Sequence, residues 1–243
     1  MFSLHYAAHS LKSEQPVLNY AKKLLEMQMS VYVIADLHLC TDNESKSMEI
    51  FGNRWKDYKN RIHTNWNKLI AKDDTVIIPG DISWAMMLEE TKEDFELLNS
   101  LPGTKLIGKG NHDFWWTTAS KMYRFFDNNK FDTLKILYNN SFVVDNTVVC
   151  GSRGWFSEES NQKTVGDVDW LKIVDRETMR LRMSLESVDQ EYAHLKKKVF
   201  LHFPPVWNSK RFPRGGKRRT CLTPRLRHKV PLRYSPSFHP RKR

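Results

Sequence analysis

Cysteine is scarce in this chain. Its three residues, Cys40, Cys150 and Cys221, are odd in number and far apart. No CxxC pair occurs, so neither a disulfide framework nor a thiolate metal site is expected. The cysteines read as small buried hydrophobes of a reduced, cytoplasmic protein. Met1 to Ser30 contains no apolar run long enough for a signal peptide or a membrane span, and no arginine, which argues against a mitochondrial presequence. No membrane partner is expected. Acidic residues are missing from one region: residues 210–243 carry 13 of the 39 Lys and Arg and no Asp or Glu. The other 26 basic residues face 28 acidic ones, so the net charge of +11 is a property of the tail. It says little about the partners of the body. No internal repeat is present.

What the chain does have is chemistry at strand ends. Val31-Tyr32-Val33-Ile34-Ala35 runs into Asp36-Leu37-His38. Thr75-Val76-Ile77-Ile78-Pro79 runs into Gly80-Asp81. Lys105-Leu106-Ile107-Gly108 runs into Lys109-Gly110-Asn111-His112-Asp113, and Lys198-Val199-Phe200-Leu201 into His202. A single DxH or GD is weak, because such pairs are common turns. Four apolar strands ending in Asp, His or Asn form a constellation. In open α/β sheets the crevice at the carboxyl ends of the strands is where ligands bind.

The body divides into 30–209, a folded domain, between an extension over 1–29 and a basic, Pro-rich tail over 210–243. Pro16 to Met29 has the spacing of a short amphipathic helix outside the fold, and Met29 is a candidate functional start. Arg61 to Lys72 reads as a helix with Ile62, Trp66, Leu69 and Ile70 on one stripe. With the strands before and after it, it makes a βαβ unit. Glu89 to Leu101 is a second helix, with Phe95 and Leu98 inward, and Thr117 to Phe126 a third. Ile82 to Met87 reads as packing. Lys135 to Tyr138, Phe142 to Val144 and Val148 to Cys150 read as a hairpin series with Asn and Asp turns. It leads to Gly151-Ser152-Arg153-Gly154-Trp155. Trp170 to Val188 is a charged helix before the last strand. His5, His9, His63 and His194 lack the strand-end context and read as surface residues.

Asp and Asn oxygens with imidazole nitrogens suit Mn, Fe or Zn. A carboxylate such as Asp81 can bridge two divalent metal ions, the usual apparatus for attacking phosphorus. His112 fits a proton donor to the leaving oxygen. Asp113 reads either as a partner that orients an imidazole or as a helix N-cap. Arg153 reads either as a structural salt bridge or as a phosphate ligand.

The order Asp-x-His, Gly-Asp, Gly-Asn-His-Asp and a later strand-end His resembles the calcineurin-like metallophosphoesterases, over about Val31 to Trp207. Gly80 to Met86 and Arg153-Gly154-Trp155 look like a bacterial subgroup of phosphohydrolases. The resemblance implies an α/β fold, a four-layer α/β/β/α sandwich, with a dimetal centre. It places Asp36, His38 and Asp81 on one metal, Asp81, Asn111 and His202 on the other, and His112 beside the scissile bond. The implied reaction is hydrolysis of a phosphate mono- or diester. The family's closing Gly-His-x-His motif is missing here. His228 and His239 do not follow glycine. The expectation is a domain lacking its last strands, with an incomplete site and weakened activity, and a tail that replaces the natural end through a shifted reading frame. Two alternatives stand beside the enzyme reading: a nucleic-acid or anion binder acting through the tail, which lacks regular aromatic interleaving, and a non-catalytic scaffold. The sequence names no substrate and no oligomeric state.

Overall fold

The computed structural model describes residues 29–41, 47–155 and 170–204. The expected N-terminal helix, the 210–243 tail and its shifted-frame origin lie outside the described residues, as do nearly all of the 1–29 extension and the last few residues of the expected domain. The described chain from Val31 onward is a mixed α/β fold. Its strands are β1 (Val31–Val33), β2 (Thr75–Ile78), β3 (Thr104–Ile107), β4 (Leu134–Ile136), β5 (Ser141–Val144), β6 (Thr147–Ser152) and β7 (Lys196–Leu201). Its helices are α1 (Tyr58–Leu69), α2 (Lys92–Ser100), α3 (Ala119–Asn129) and α4 (Trp170–Glu186). None is long and apolar enough to cross a membrane.

Strands β1 to β4 form a parallel sheet in chain order, as successive βαβ units require. Pairing by twos along β2 explains its two faces. Val76 and Ile78 join a core with Trp66 of α1, Phe95 and Leu98 of α2, and Met122 and Phe126 of α3. Ile77 points the other way, into a second core with Leu106, Leu137, Val144 and Val149. That second core joins the parallel sheet to a three-stranded sheet of order β5-β6-β7. In it β5 and β6 are antiparallel and β6 and β7 parallel. Helix α4 meets β6 through Ser184, whose Oγ accepts the Gly151 N–H at 2.9 Å and donates to the Asn140 carbonyl at 2.6 Å.

Three expectations need correction. The run Lys135 to Tyr138 does not open a hairpin series: β4 pairs in parallel with β3, and only β5 and β6 form a hairpin. The segment after His112 is a turn, and α3 starts only at Ala119, with Thr118 Oγ1 accepting the Lys121 N–H at 3.4 Å. Helix α1 lies three residues earlier than expected, because Asp74 Oδ2 accepts the Ala71 N–H at 2.7 Å and makes residues 71–74 a turn. Leu69 is therefore 40% exposed, while Trp66 is buried.

Candidate metal centre

The loops that follow β1 and β2 continue side by side beyond the sheet. Asp36 N–H donates to the Gly80 carbonyl at 3.2 Å, His38 N–H to that of Asp81 at 2.9 Å, and Leu39 N–H to that of Ile82 at 2.8 Å. This pairing carries Asp36 and His38 against Asp81. All three have positive φ, of 57°, 46° and 55°. Such backbone costs about 1–3 kcal/mol per residue and gathers at functional sites. The loop after β3 closes from the other side. A Cβ on Gly110 would collide with the Asp81 side chain, so only glycine lets the two loops touch.

Around this junction the donor atoms converge. His38 Nε2 lies 4.0 Å from Asp36 Oδ1 and 3.6 Å from Asp81 Oδ2. His202 Nε2 lies 3.5 Å from the same Asp81 oxygen and 2.9 Å from Asn111 Oδ1. Asp81 is fully buried, and its Oδ2 has no hydrogen-bond partner. Its Oδ1 accepts the His112 N–H at 2.9 Å. Two donors each bound at about 2.1 Å to one cation stand roughly 3.0–3.5 Å apart. The separations on either side of Asp81 Oδ2, 3.6 and 3.5 Å, lie at the upper edge of that spacing and are too long for good hydrogen bonds. Ligand atoms of Asp36, His38 and Asp81 all lie within 4.8 Å of one another, a group able to hold a metal ion.

The electrostatics suit a cation. Burial, with Asp81 and then Asp113 nearby, pushes the Asp36 carboxyl up to about 7. Burial pushes Asp81 up to about 6 against the backbone N–H groups that favour its charge. Burial lowers His38 to about 3 and His202 to about 4, helped in both by His112. The two imidazoles are therefore neutral at pH 7, with lone pairs available for a metal.

His112 sits beside this group, its ring centroid 5.6 Å from that of His38 and 4.8 Å from that of Trp84. Asp113 takes neither role expected of it. It is buried and accepts the N–H groups of Asp81, Ile82 and Gly110 at 2.7–2.8 Å. Arg153 makes the salt bridge, with Glu177 at 3.2 Å.

Two contributors escaped the sequence reading. Trp84, within a stretch taken as packing, stacks on His38 at 4.6 Å and 20°. Its place three residues past Asp81 was the available signal. Asp94 is buried, accepts from Thr41 N–H and Oγ1 and from Ser83 Oγ, and so braces the loops that carry His38 and Asp81. Lying four residues before Leu98, it falls on the inward face of α2.

The family model of the calcineurin-like phosphoesterases matches residues 29–228. Among solved structures, a protein of unknown function from Aquifex aeolicus is similar at 20% identity and a TM-score of 0.34, over 60% of this chain and 74% of that one. Phosphopantetheinyl hydrolase from Mycobacterium tuberculosis is similar at 15% identity and a TM-score of 0.41, over 73% of this chain and 69% of that one. Comparison with curated proteins gives no match. With the family model spanning most of its length and ending beyond the last described strand, the chain belongs to the calcineurin-like phosphoesterase family.

Proposed function

We propose that this chain hydrolyses phosphate mono- or diesters with two divalent cations, Mn, Fe or Zn, held by Asp36, His38, Asp81, Asn111 and His202. The observation that carries this reading is Asp81 Oδ2: a buried carboxylate oxygen without a hydrogen-bond partner, facing two imidazole nitrogens at 3.5 and 3.6 Å. An unpaired buried carboxylate is costly unless a cation compensates it. When bound, the cations supply Lewis acidity, which makes a water nucleophilic at neutral pH and neutralises phosphoryl oxygens. The chain's own residues do the rest. Asp81 lies between the two halves of the donor set and would be a ligand to both cations. Neutral His38 and His202 offer lone pairs without first losing a proton. His112, held through its N–H to Asp81 Oδ1, delivers a proton to the leaving oxygen.

No Gly-His-x-His motif completes the donor set. Five donors without the two histidines of that motif would bind metal weakly and turn over slowly. The test is metal content together with hydrolysis of bis-p-nitrophenyl phosphate in added Mn. His112→Ala should keep its metal and lose roughly a hundredfold in kcat. Turnover without metal, or unchanged in His112→Ala, would overturn the assignment.

A further inference from the structure

Three arginines meet on one carboxylate beside the metal-facing donors. Glu177 is 2% exposed. Its Oε1 takes Arg180 Nη1 at 2.7 Å, Arg153 Nη2 at 3.2 Å and Arg176 Nε at 3.7 Å. Its Oε2 is buried and has no hydrogen-bond partner, and the same holds for Arg153 Nε. A staple between α4 and the end of β6 would need one arginine. Among the described residues, Arg153 and Arg180 leave an excess of one positive charge on this carboxylate, while Arg176 is more than half exposed to water. Holding them together in a half-buried place is costly unless an anion completes the set.

The cations are held in place for such a partner. Arg153 Cζ lies over the Trp155 ring at 4.9 Å and Arg180 Cζ over the Tyr138 ring at 4.8 Å, cation–π contacts that restrain both side chains. The cluster also adjoins the metal-facing donors. Phe203 N–H donates to the Arg153 carbonyl at 2.9 Å, so Arg153 is tied to the residue after His202. On its far side Arg180 lines a cavity of about 410 Å³ with Trp116, Tyr138 and Asn139, large enough for part of a substrate. Asn139 has φ 67°, and its buried Oδ1 has no hydrogen-bond partner.

We propose that Arg153 and Arg180 form an oxyanion subsite that takes a second phosphate carried by the phosphoester substrate. A terminal phosphate carries nearly two negative charges, and guanidinium forks bind its oxygens bidentately. The substrate class is then a phosphoester with a second phosphate remote from the scissile one, its body lying along Trp116 and Tyr138. The role in substrate selection rests on the phosphoesterase reading; the binding of phosphate at these residues does not.

The experiment uses the full chain stripped of metal and titrated with inorganic pyrophosphate by calorimetry at fixed ionic strength. Arg180→Gln should weaken binding about tenfold or more, and Arg180→Lys by less, because it keeps the charge and loses the fork. Circular dichroism and thermal melting check that both variants fold. The basic tail is common to all three chains, so equal binding in Arg180→Gln would belong to the tail and overturn the proposal. So would the absence of binding to the unmodified chain at millimolar pyrophosphate. A second arm compares kcat/KM of the Mn-loaded protein for a nucleoside 3′,5′-bisphosphate and for p-nitrophenyl phosphate. That ratio should fall about tenfold in Arg180→Gln, and an unchanged ratio overturns the role in substrate selection. If neither ester is turned over while Arg180→Gln still loses pyrophosphate, the phosphoesterase reading fails and the oxyanion subsite stands.

Discussion

The Asp113 carboxylate accepts the backbone N–H of Asp81 at 2.8 Å, across 32 residues of sequence. The same side chain takes Gly110 N–H at 2.7 Å, Ile82 N–H at 2.8 Å and Trp115 Nε1 at 3.1 Å. One buried carboxylate thus holds the loop after β2 to the loop after β3. Asp113→Ala would leave these buried donors unpaired, at a cost of about 3 kcal/mol or more. Urea unfolding of the metal-free protein measures this. A loss below about 1 kcal/mol would mean that other contacts hold the loops together.

Asp81 makes the opposite prediction. Its pKa is about 6 in the folded protein against 3.8 ordinarily, so between those values the folded state binds more protons than the unfolded chain. Stability then falls as pH rises through this window, and above it the ionised carboxylate costs roughly 3 kcal/mol. Asp81→Asn keeps an acceptor for the His112 N–H and removes the charge. At pH 7.5 the metal-free variant should melt several degrees higher than the parent and bind no Mn. A melting temperature that falls would show that the charge is compensated without metal.

Much of this arrangement was readable before folding. Apolar runs ending in Asp36, His38, Asp81, Asn111 and His202 put side chains of one chemistry after three neighbouring parallel strands and after β7 of the second sheet, and the donor atoms meet. The rest depended on partners that local sequence does not name. Lys135 to Tyr138 reads as a strand, but its composition is silent on whether β3 or β5 lies beside it. Asp113 sits in a motif that suggests imidazole chemistry, whereas its partners are backbone N–H groups three and about thirty residues away. The left-handed backbone of Asp36, His38 and Asp81 goes against the usual preference for glycine there, and only the packed loops enforce it.

Metal binding should depend on pH through the carboxyl groups. Asp36 at about 7 and Asp81 at about 6 hold protons that a cation must displace. His38 at about 3 and His202 at about 4 are already neutral and release none. Mn affinity should therefore rise from about pH 5 to about pH 7 and level off above that. Calorimetry at pH 6 in two buffers of different ionisation enthalpy should find between one and two protons released per chain. An affinity that does not vary over this range would show that both carboxyls are ionised before metal arrives.

Lys105 offers a test of stability away from the donor set. It lies fully buried in β3, and its ammonium donates to the Leu101 carbonyl at the end of α2 and to Thr133 Oγ1. Burial lowers its pKa to about 8 from 10.5. Between those values the unfolded chain binds more protons, so stability rises with pH as the buried charge is relieved. Lys105→Met fills similar space without a titrating group. Unfolding in urea at pH 7.5, 8.5 and 9.5 should show the parent gaining about 2 kcal/mol relative to the variant across the series. Parallel behaviour of the two proteins would mean that the ammonium reaches water, and that its carbonyl partner at Leu101 is what keeps a lysine in this strand.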